Sequence, residues 1–272
     1  MNCRIAAVMT CYNRKQKTVT SIKRLLTTNE ALLSFVVVDD NSTDGTIDAL
    51  YELEKQYSIK VLNGNGHSYY TGGMRIGLKY LLDSGMEYDY LLLFNDDVEF
   101  YESCIDEMVK KSNQGENIVV GVCCDRESKM TYSAVRYASG FNVNYRRLML
   151  GEENADTFCA NCVLIPWKAF LSVGNMDETY THSFGDFDYG FSLSRGGWNI
   201  VTSEKYIGVC EYNSERNTWN DKTLNRIERF KKKESVKGLP RKEWFHFLKK
   251  NFGFIHSIVF SCTPYIRILL GR

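Results

Sequence analysis

Asn95, Asp96 and Asp97 are the residues of this chain best suited to do chemistry, and what precedes them says where they stand. Leu91, Leu92, Leu93 and Phe94 form an apolar run that stops abruptly at the acids. Such a run reads as a buried strand. That puts the acids at its carboxyl end, where open α/β sheets bind ligands. Adjacent carboxylates repel unless a cation sits beside them, and oxygen donors of this kind suit Mg2+ or Mn2+. An Asp-Asp pair by itself is more often a solvated turn after a core strand. The rest of the chain decides between the two.

The acids need a sheet to position them, and the first hundred residues supply its pattern. Ile5 to Met9, Phe35 to Val38 and Ile59 to Leu62 read as buried strands. Between them Val19, Ile22 and Leu26, then Ile47, Leu50 and Leu53, recur at helical spacing. Ser42 to Asp44 suit a cap on the second of these helices. A glycine-rich segment, Asn63 through Gly73, opens a third helix carrying Leu78, Leu81 and Leu82. Strands alternating with helices predict a doubly wound, mostly parallel sheet of the α/β class. The second half is less regular. Ile118 to Cys124, Phe158 to Ile165 and Ile207 to Cys210 read as strands, Ser139 to Gly151 as a loop or hairpin, and Pro166 as the start of a short helix. A further helix ends at Arg195, stopped by Gly196 and Gly197.

Composition narrows the function classes. Hydrophobic content is 44% with only three Pro, so most of the chain should be ordered, as one large domain or one domain with an appendage. No apolar run approaches the roughly 18 residues that cross a bilayer. The start of the chain runs straight into a strand, which predicts no secretion signal, and nine Cys then imply the reduced thiols of a cytosol. Cys159 and Cys162, with Cys123 and Cys124, have a spacing that zinc could use. They lie inside apolar runs, however, where free Cys packs as a small hydrophobe. The four His show no ligand spacing.

Several segments in order carry a family resemblance. Thr10 to Arg14, Val37 to Thr46, Gly72 to Gly77, Phe94 to Val98, and Val173 to Glu178 followed by Gly185 to Asp188 resemble the successive motifs of inverting glycosyltransferases of family 2. The resemblance covers roughly residues 4–212 and implies the GT-A fold. Its catalytic domain would span 1–212, with a nucleotide-binding half to about residue 100 and an acceptor half from 101. Gly72 to Gly77 is most similar to members that transfer rhamnose or galactofuranose.

The resemblance also implies roles. Asp39 or Asp40 would accept a hydrogen bond from the N3–H of a uracil or thymine base. Thr10 and Tyr12 would line the same slot, beside Arg14. Gly72 and Gly73 would let the backbone approach the donor, and Arg75 would reach a phosphate. Asp96 would lie near the ribose. Asp97 would bind the divalent metal that offsets charge on the leaving nucleoside diphosphate. Asn95 departs from the first acid of the family's aspartate-x-aspartate motif. Asp186 would be the base that takes the acceptor's proton, although Gly185 stands where a Glu is usual; Asp188 is the alternative base, or a helix cap. Glu211 would replace a His ligand found after the last core strand in many members.

Residues 222–272 carry 13 Lys/Arg against three Asp/Glu, so the tail is at +10 while residues 1–221 are at −9. Its cations are interleaved with Trp244, Phe245, Phe247, Phe252 and Phe254. That composition suits an anionic bilayer surface better than nucleic acid; the simpler reading is a helix packed on the catalytic domain. Residues 213–272 are therefore expected to be a basic, aromatic-rich loop and helical tail. Trp219 would close over the donor, with Lys222 or Arg226 approaching the diphosphate. Together these features predict a cytoplasmic enzyme, peripheral on the inner face of the cell membrane. It would move sugar from a nucleotide-diphospho-sugar to a glycan on a polyprenyl lipid, as in bacterial surface polysaccharide assembly. The competing classes are a sugar nucleotidyltransferase, which needs a basic, glycine-rich signature that Thr10 to Arg14 lacks, and a non-catalytic nucleotide-sugar-binding protein, against which Asp97 and Asp186 both argue.

Overall fold

The computed structural model describes residues 3–272; the chain start at Met1 and Asn2, on which the secretion-signal expectation rests, lies outside the described residues. The first half alternates as expected: β1 Arg4–Cys11, α1 Lys15–Thr28, β2 Leu32–Asp39, α2 Thr46–Glu54, β3 Ile59–Asn63, α3 Tyr69–Ser84 and β4 Tyr90–Phe94. Next come β5 Glu99–Phe100, α4 Cys104–Lys111, β6 Asn117–Cys124, β7 Ala134–Tyr137, β8 Tyr145–Arg147, β9 Thr157–Phe158, β10 Cys162–Pro166, α5 Trp167–Val173, α6 Gly185–Arg195 and β11 Asn199–Val209. Three helices end the chain: α7 Arg226–Glu234, α8 Arg241–Phe252 and α9 Phe254–Leu269.

Eight strands form the central sheet in the order β3-β2-β1-β4-β10-β6-β11-β5. β3, β2, β1 and β4 are parallel, and β6 is parallel to β11. β10 runs antiparallel between β4 and β6. Both faces of the sheet are covered, so β4 is apolar at every position instead of alternating. One core packs beneath α1, α2 and α4, the other beneath α3, α5 and α6.

The stretch from Phe158 to Ile165 is two strands rather than one. β9 pairs with β7 in a small antiparallel sheet, while β10 crosses into the main sheet. The break at Cys159 to Asn161 serves the cleft. The Asn161 carbonyl accepts the Asn95 N–H at 3.0 Å, and the Ala160 N–H donates to Asp186.

Gly73 lies within α3, where it meets β1. A Cβ there would sit 2.7 Å from Thr10 Cβ and still closer to the Thr10 hydroxyl, which is fixed to the Val38 carbonyl at 3.2 Å. Gly73→Ala is therefore expected to destabilise the fold by about 1–3 kcal/mol, the usual range for overpacking a filled contact. A chemical-denaturation midpoint equal to that of the parent chain would show that α3 can shift without cost.

Candidate active site

β1 has β2 on one side and β4 on the other, so strand order reverses across it. Such a switch point opens a crevice at the carboxyl ends of the strands. The loops that follow β1 and β4 meet in it. Arg14 Nη1 donates to Asp96 Oδ1 at 2.9 Å and to Asp97 Oδ2 at 3.3 Å. The cation that two adjacent acids require is thus supplied here by the chain itself. Asp96 is buried, and its Oδ2 accepts from Thr18 Oγ1 at 2.9 Å. Burial pushes its carboxyl above the usual range, against the opposing pull of Arg14 and Thr18. The Asp97 side chain is more open, at 23% exposure. A cleft of about 470 Å³ adjoins both acids, lined also by Lys17, Thr20, Arg24 and Tyr101.

The loops after β1 and β2 are stitched together. Asn13 N–H donates to Ser42 Oγ at 2.8 Å, and Thr43 N–H donates to Asn13 Oδ1 at 2.7 Å. Asp44 Oδ2 accepts the Lys15 N–H that opens α1. Ser42 fastens the neighbouring loop, while Asp44 serves both helices: its Oδ2 holds the start of α1 and its Oδ1 accepts the Thr46 N–H that opens α2, at 3.0 Å. The cap position of α2 falls to Gly45, which makes no side-chain cap. Asp40 is consumed by backbone, accepting from Gly66, Ser68 and Tyr69 N–H at 2.9–3.1 Å. Asp39 accepts the Ser42 N–H at 2.8 Å, and its other oxygen holds only the weak donor Cys11 Sγ at 3.6 Å. Tyr12 stands 53% exposed at the rim.

Three residues expected at the donor have other partners here. Gly72 and Gly73 are buried within α3 rather than lying in an open loop. The Gly72 N–H donates to the Thr181 carbonyl, and Gly73 faces Thr10. Arg75 Nη1 donates to the Asp177 and Tyr180 carbonyls at 3.2 and 2.9 Å. The start of α3 is thereby locked to the segment that leads into α6. The sequence shows glycines before a helix. It does not show that the helix begins four residues earlier, at Tyr69.

The metal question turns on donor chemistry. Asp97 offers a partly open carboxylate. Glu211 is engaged by another loop: its Oε1 accepts the Arg126 N–H at 3.2 Å and lies 3.9 Å from that guanidinium. The side chain beside Asp97 is Cys210, with Sγ 3.9 Å from Oδ1. Burial and the Asp97 charge push this thiol up to about 12, so it stays protonated and is a poor ligand for a hard cation. Among the described residues no three His, Cys, Asp or Glu side chains cluster as a ready-made metal cage. One carboxylate fits the Mg2+ and Mn2+ mode in which substrate phosphates and water supply the other ligands.

The two candidate bases are separated by their surroundings. Asp188 is 2% exposed, and its oxygens accept from Lys250 Nζ at 2.7 Å and Asn251 Nδ2 at 3.0 Å. It caps nothing; it ties α8 to α6. Among the described residues no cation pairs with Asp186. Its oxygens accept backbone N–H groups from Ala160 at 3.1 Å and Phe187 at 2.9 Å. Burial raises its carboxyl above the usual range despite those bonds. The Ala160–Asn161 segment touches both acid sites, since the Ala160 N–H donates to Asp186 and the Asn161 carbonyl accepts the N–H of Asn95, next to Asp96 and Asp97. Gly185 packs on Thr71, where a Cβ would come within 2.8 Å of Thr71 Cβ. A Glu does not fit there. His182 is held neutral, its pKa lowered to about 4 by burial and by the charge of Lys237.

Residues 6–170, more than half the chain, match Glycosyl transferase family 2. The chain belongs to this family. The match ends at Phe170, so α6 and the tail lie beyond it. No curated protein matches. Among solved structures, the chain is similar to the mannosyltransferase PcManGT from Pyrobaculum calidifontis, in complex with GDP-Man and Mn2+. The TM-score is 0.61 at 12% identity, covering 100% of this chain and 74% of that one. Residues 1–349 of S. aureus TarS give 0.57 at 12% identity, covering 98% and 81%. These likenesses bear out the GT-A fold, and family membership makes the chain a glycosyltransferase.

In this family 2 enzyme the loop carrying Trp219 is fastened to the tail. Arg229 Nε donates to the Trp219 carbonyl at 2.8 Å, and the Arg267 guanidinium lies 5.6 Å from the indole ring centre. Lys250 and Asn251 hold Asp188, and Cys210 lies beside Asp97; the sequence shows none of these contacts. Lys250 ends a basic pair that reads as solvated surface, and no periodicity reveals that it folds back onto α6.

Proposed function

We propose that this glycosyltransferase moves a sugar, with inversion, from a nucleoside-diphosphate donor to a hydroxyl of a lipid-linked glycan. One observation carries the reading. The Ala160–Asn161 segment joins two acid sites: the Asp96–Asp97 pair at the switch point, through Asn95, and Asp186, a carboxylate with a raised pKa that no cation pairs with among the described residues. Inversion needs this arrangement, because the base takes the acceptor proton on the face opposite the departing diphosphate. Asp97 would hold the divalent cation together with the donor's phosphates, and that cation would offset the leaving group's charge. Arg14, released from the acid pair, would turn to the diphosphate. Asp39 is the better candidate of the two acids for the base N3–H, since one of its oxygens is only weakly engaged. Gly72 to Gly77 favours a rhamnosyl or galactofuranosyl donor, and the basic tail favours an acceptor held at a membrane in surface polysaccharide assembly.

The test is a panel of nucleotide sugars scored by thermal stabilisation with Mn2+, followed by turnover of those that bind. Chelation is expected to abolish turnover, and Asp97→Ala should do the same while leaving the melting temperature of the free protein close to that of the parent. Full turnover in excess chelator would remove the metal from the reading.

A further inference from the structure

The last helix is built inside out. The side chains of α9 that face the protein include Ser257, Pro264 and Ile268. Its outward face carries Ile255, Ile258, Val259, Ile266 and Leu269, each at least 47% exposed. These positions recur at helical spacing on one stripe, and that stripe includes the exposed Cys262 but no charged residue. Phe254 and Leu270, 59% and 63% exposed, extend it at either end. A polar face would normally meet water here. Contiguous exposed apolar surface of this kind marks an interaction site.

We infer that this outward face of α9 lies in the headgroup region of an anionic bilayer, with the helix parallel to the surface. The inference deepens the proposed function and rests on it for the reason the enzyme is there, namely a lipid-linked acceptor. At 16 residues the helix is about 24 Å long. None of the described helices is long and apolar enough to cross a membrane, so α9 lies on the surface. Charge selects the occupant. Residues 222–272 carry a net +10. A second copy of this chain docked face to face through α9 would bring two such tails together, and like-charge juxtaposition opposes that. An anionic leaflet attracts the same tail.

The placement also orients the cleft. The flank of α9 touches the β7–β8 hairpin, where Phe141 packs on His256 and Phe260 with ring centres 4.3 and 5.6 Å apart. The same hairpin carries Tyr145, whose ring lies 5.9 Å from that of Phe187, the neighbour of Asp186. A glycan whose lipid is anchored beside α9 would thus meet the base along this hairpin.

The experiment is sedimentation of the full chain with phosphatidylglycerol/phosphatidylcholine vesicles and with pure phosphatidylcholine vesicles, in about 0.01 M salt, where screening is weak. The parent chain and an Ile258→Glu/Ile266→Glu double variant are compared. The parent is expected to bind the anionic vesicles and to be released by high salt. The variant should bind them at least about tenfold more weakly, since it puts charges in place of two aliphatic groups that the bilayer would cover. Both chains should be stabilised equally by Mn2+ with a nucleoside diphosphate, which checks the fold. Equal vesicle binding by the two chains, no binding by the parent, or a solution dimer that the variant dissolves would each overturn the inference. Nucleotide stabilisation failing in both chains while vesicle binding behaves as expected would count against the donor reading alone.

Discussion

Asp186→Asn is expected to lower transfer by at least about 10²-fold while donor binding persists, as loss of a general base does. The variant keeps the side chain's shape and removes its ability to take a proton. Its stability should change little, because two effects oppose each other. Burial raises the Asp186 pKa in the folded state. By linkage, such a group favours folding while protonated and loses that contribution as pH rises through the folded value. Ionised Asp186 therefore weakens the fold at neutral pH, and Asn removes that cost. Against this, Asn offers one acceptor where Ala160 and Phe187 N–H both donate, which loses about 1 kcal/mol. The pH profile is the sharper measurement. Parent activity should fall as pH drops through the raised Asp186 value, an acid limb sitting above the ordinary carboxylate range. Residual activity of the Asn variant should lack that limb. If Asp188→Asn instead removes the limb and Asp186→Asn keeps it, the base has been assigned to the wrong acid.

The sequence shows these residues unequally, for physical reasons. The β1, β2 and β4 strands are legible because a strand covered on both faces must be apolar throughout. The loop after β4 is legible because two adjacent acids at a strand end call for a cation or solvent beside them. Here it is Arg14, eighty residues earlier in the chain, that meets them. Sequence patterns report what a residue prefers and not what it touches. Arg75 and Asp40 have the chemistry of ligand contacts, yet the fold spends both on backbone groups. Glycine is ambiguous in the same way: close approach to a ligand and close approach of helix to strand require the same missing Cβ, and Gly73 is the second case. The antiparallel turn of β10 was not visible, because a short apolar run has no direction. Glu211 and Cys210 are adjacent just past the end of β11, and nothing in the sequence pattern tells that Cys210 is the one beside Asp97 while Glu211 meets the Arg126 N–H.

Lys250→Met tests whether the tail is an appendage or part of the catalytic unit. The Lys250 ammonium bridges Asp177 at 2.8 Å and Asp188 at 2.7 Å, joining α8 to the loop before α6 and to α6 itself. Phe247 and Leu248 of α8 are fully buried alongside. Removing the charge strands Asp188, 2% exposed, with Asn251 as its remaining side-chain partner. Breaking a buried pair from one side costs about 3–5 kcal/mol. Lys250 is 33% exposed, so water can partly replace it, and the expected loss is at the low end, roughly 3 kcal/mol. The pH dependence follows from the two shifts. Burial alone would raise Asp177, but hydrogen bonds from Lys250, the Thr179 N–H and His246 hold it well below the usual carboxylate range. Its contribution is complete above the ordinary Asp value of about 3.9 and is lost as pH falls through the depressed folded value. Burial alone would lower Lys250, but its two carboxylate partners raise it. That contribution is complete below the ordinary Lys value of about 10.4 and is lost as pH rises through the raised one. The stability gap between parent and variant should therefore be widest across the neutral range and narrow in acid and in alkali. Transfer should fall because α6 carries Asp186 two residues from the broken pair, yet the acid limb of the pH profile should remain, since the base itself is intact. Urea midpoints at acid, neutral and alkaline pH, with a pH–rate profile, measure all of this. A variant as stable and as active as the parent at neutral pH would make residues 241–252 an appendage after all.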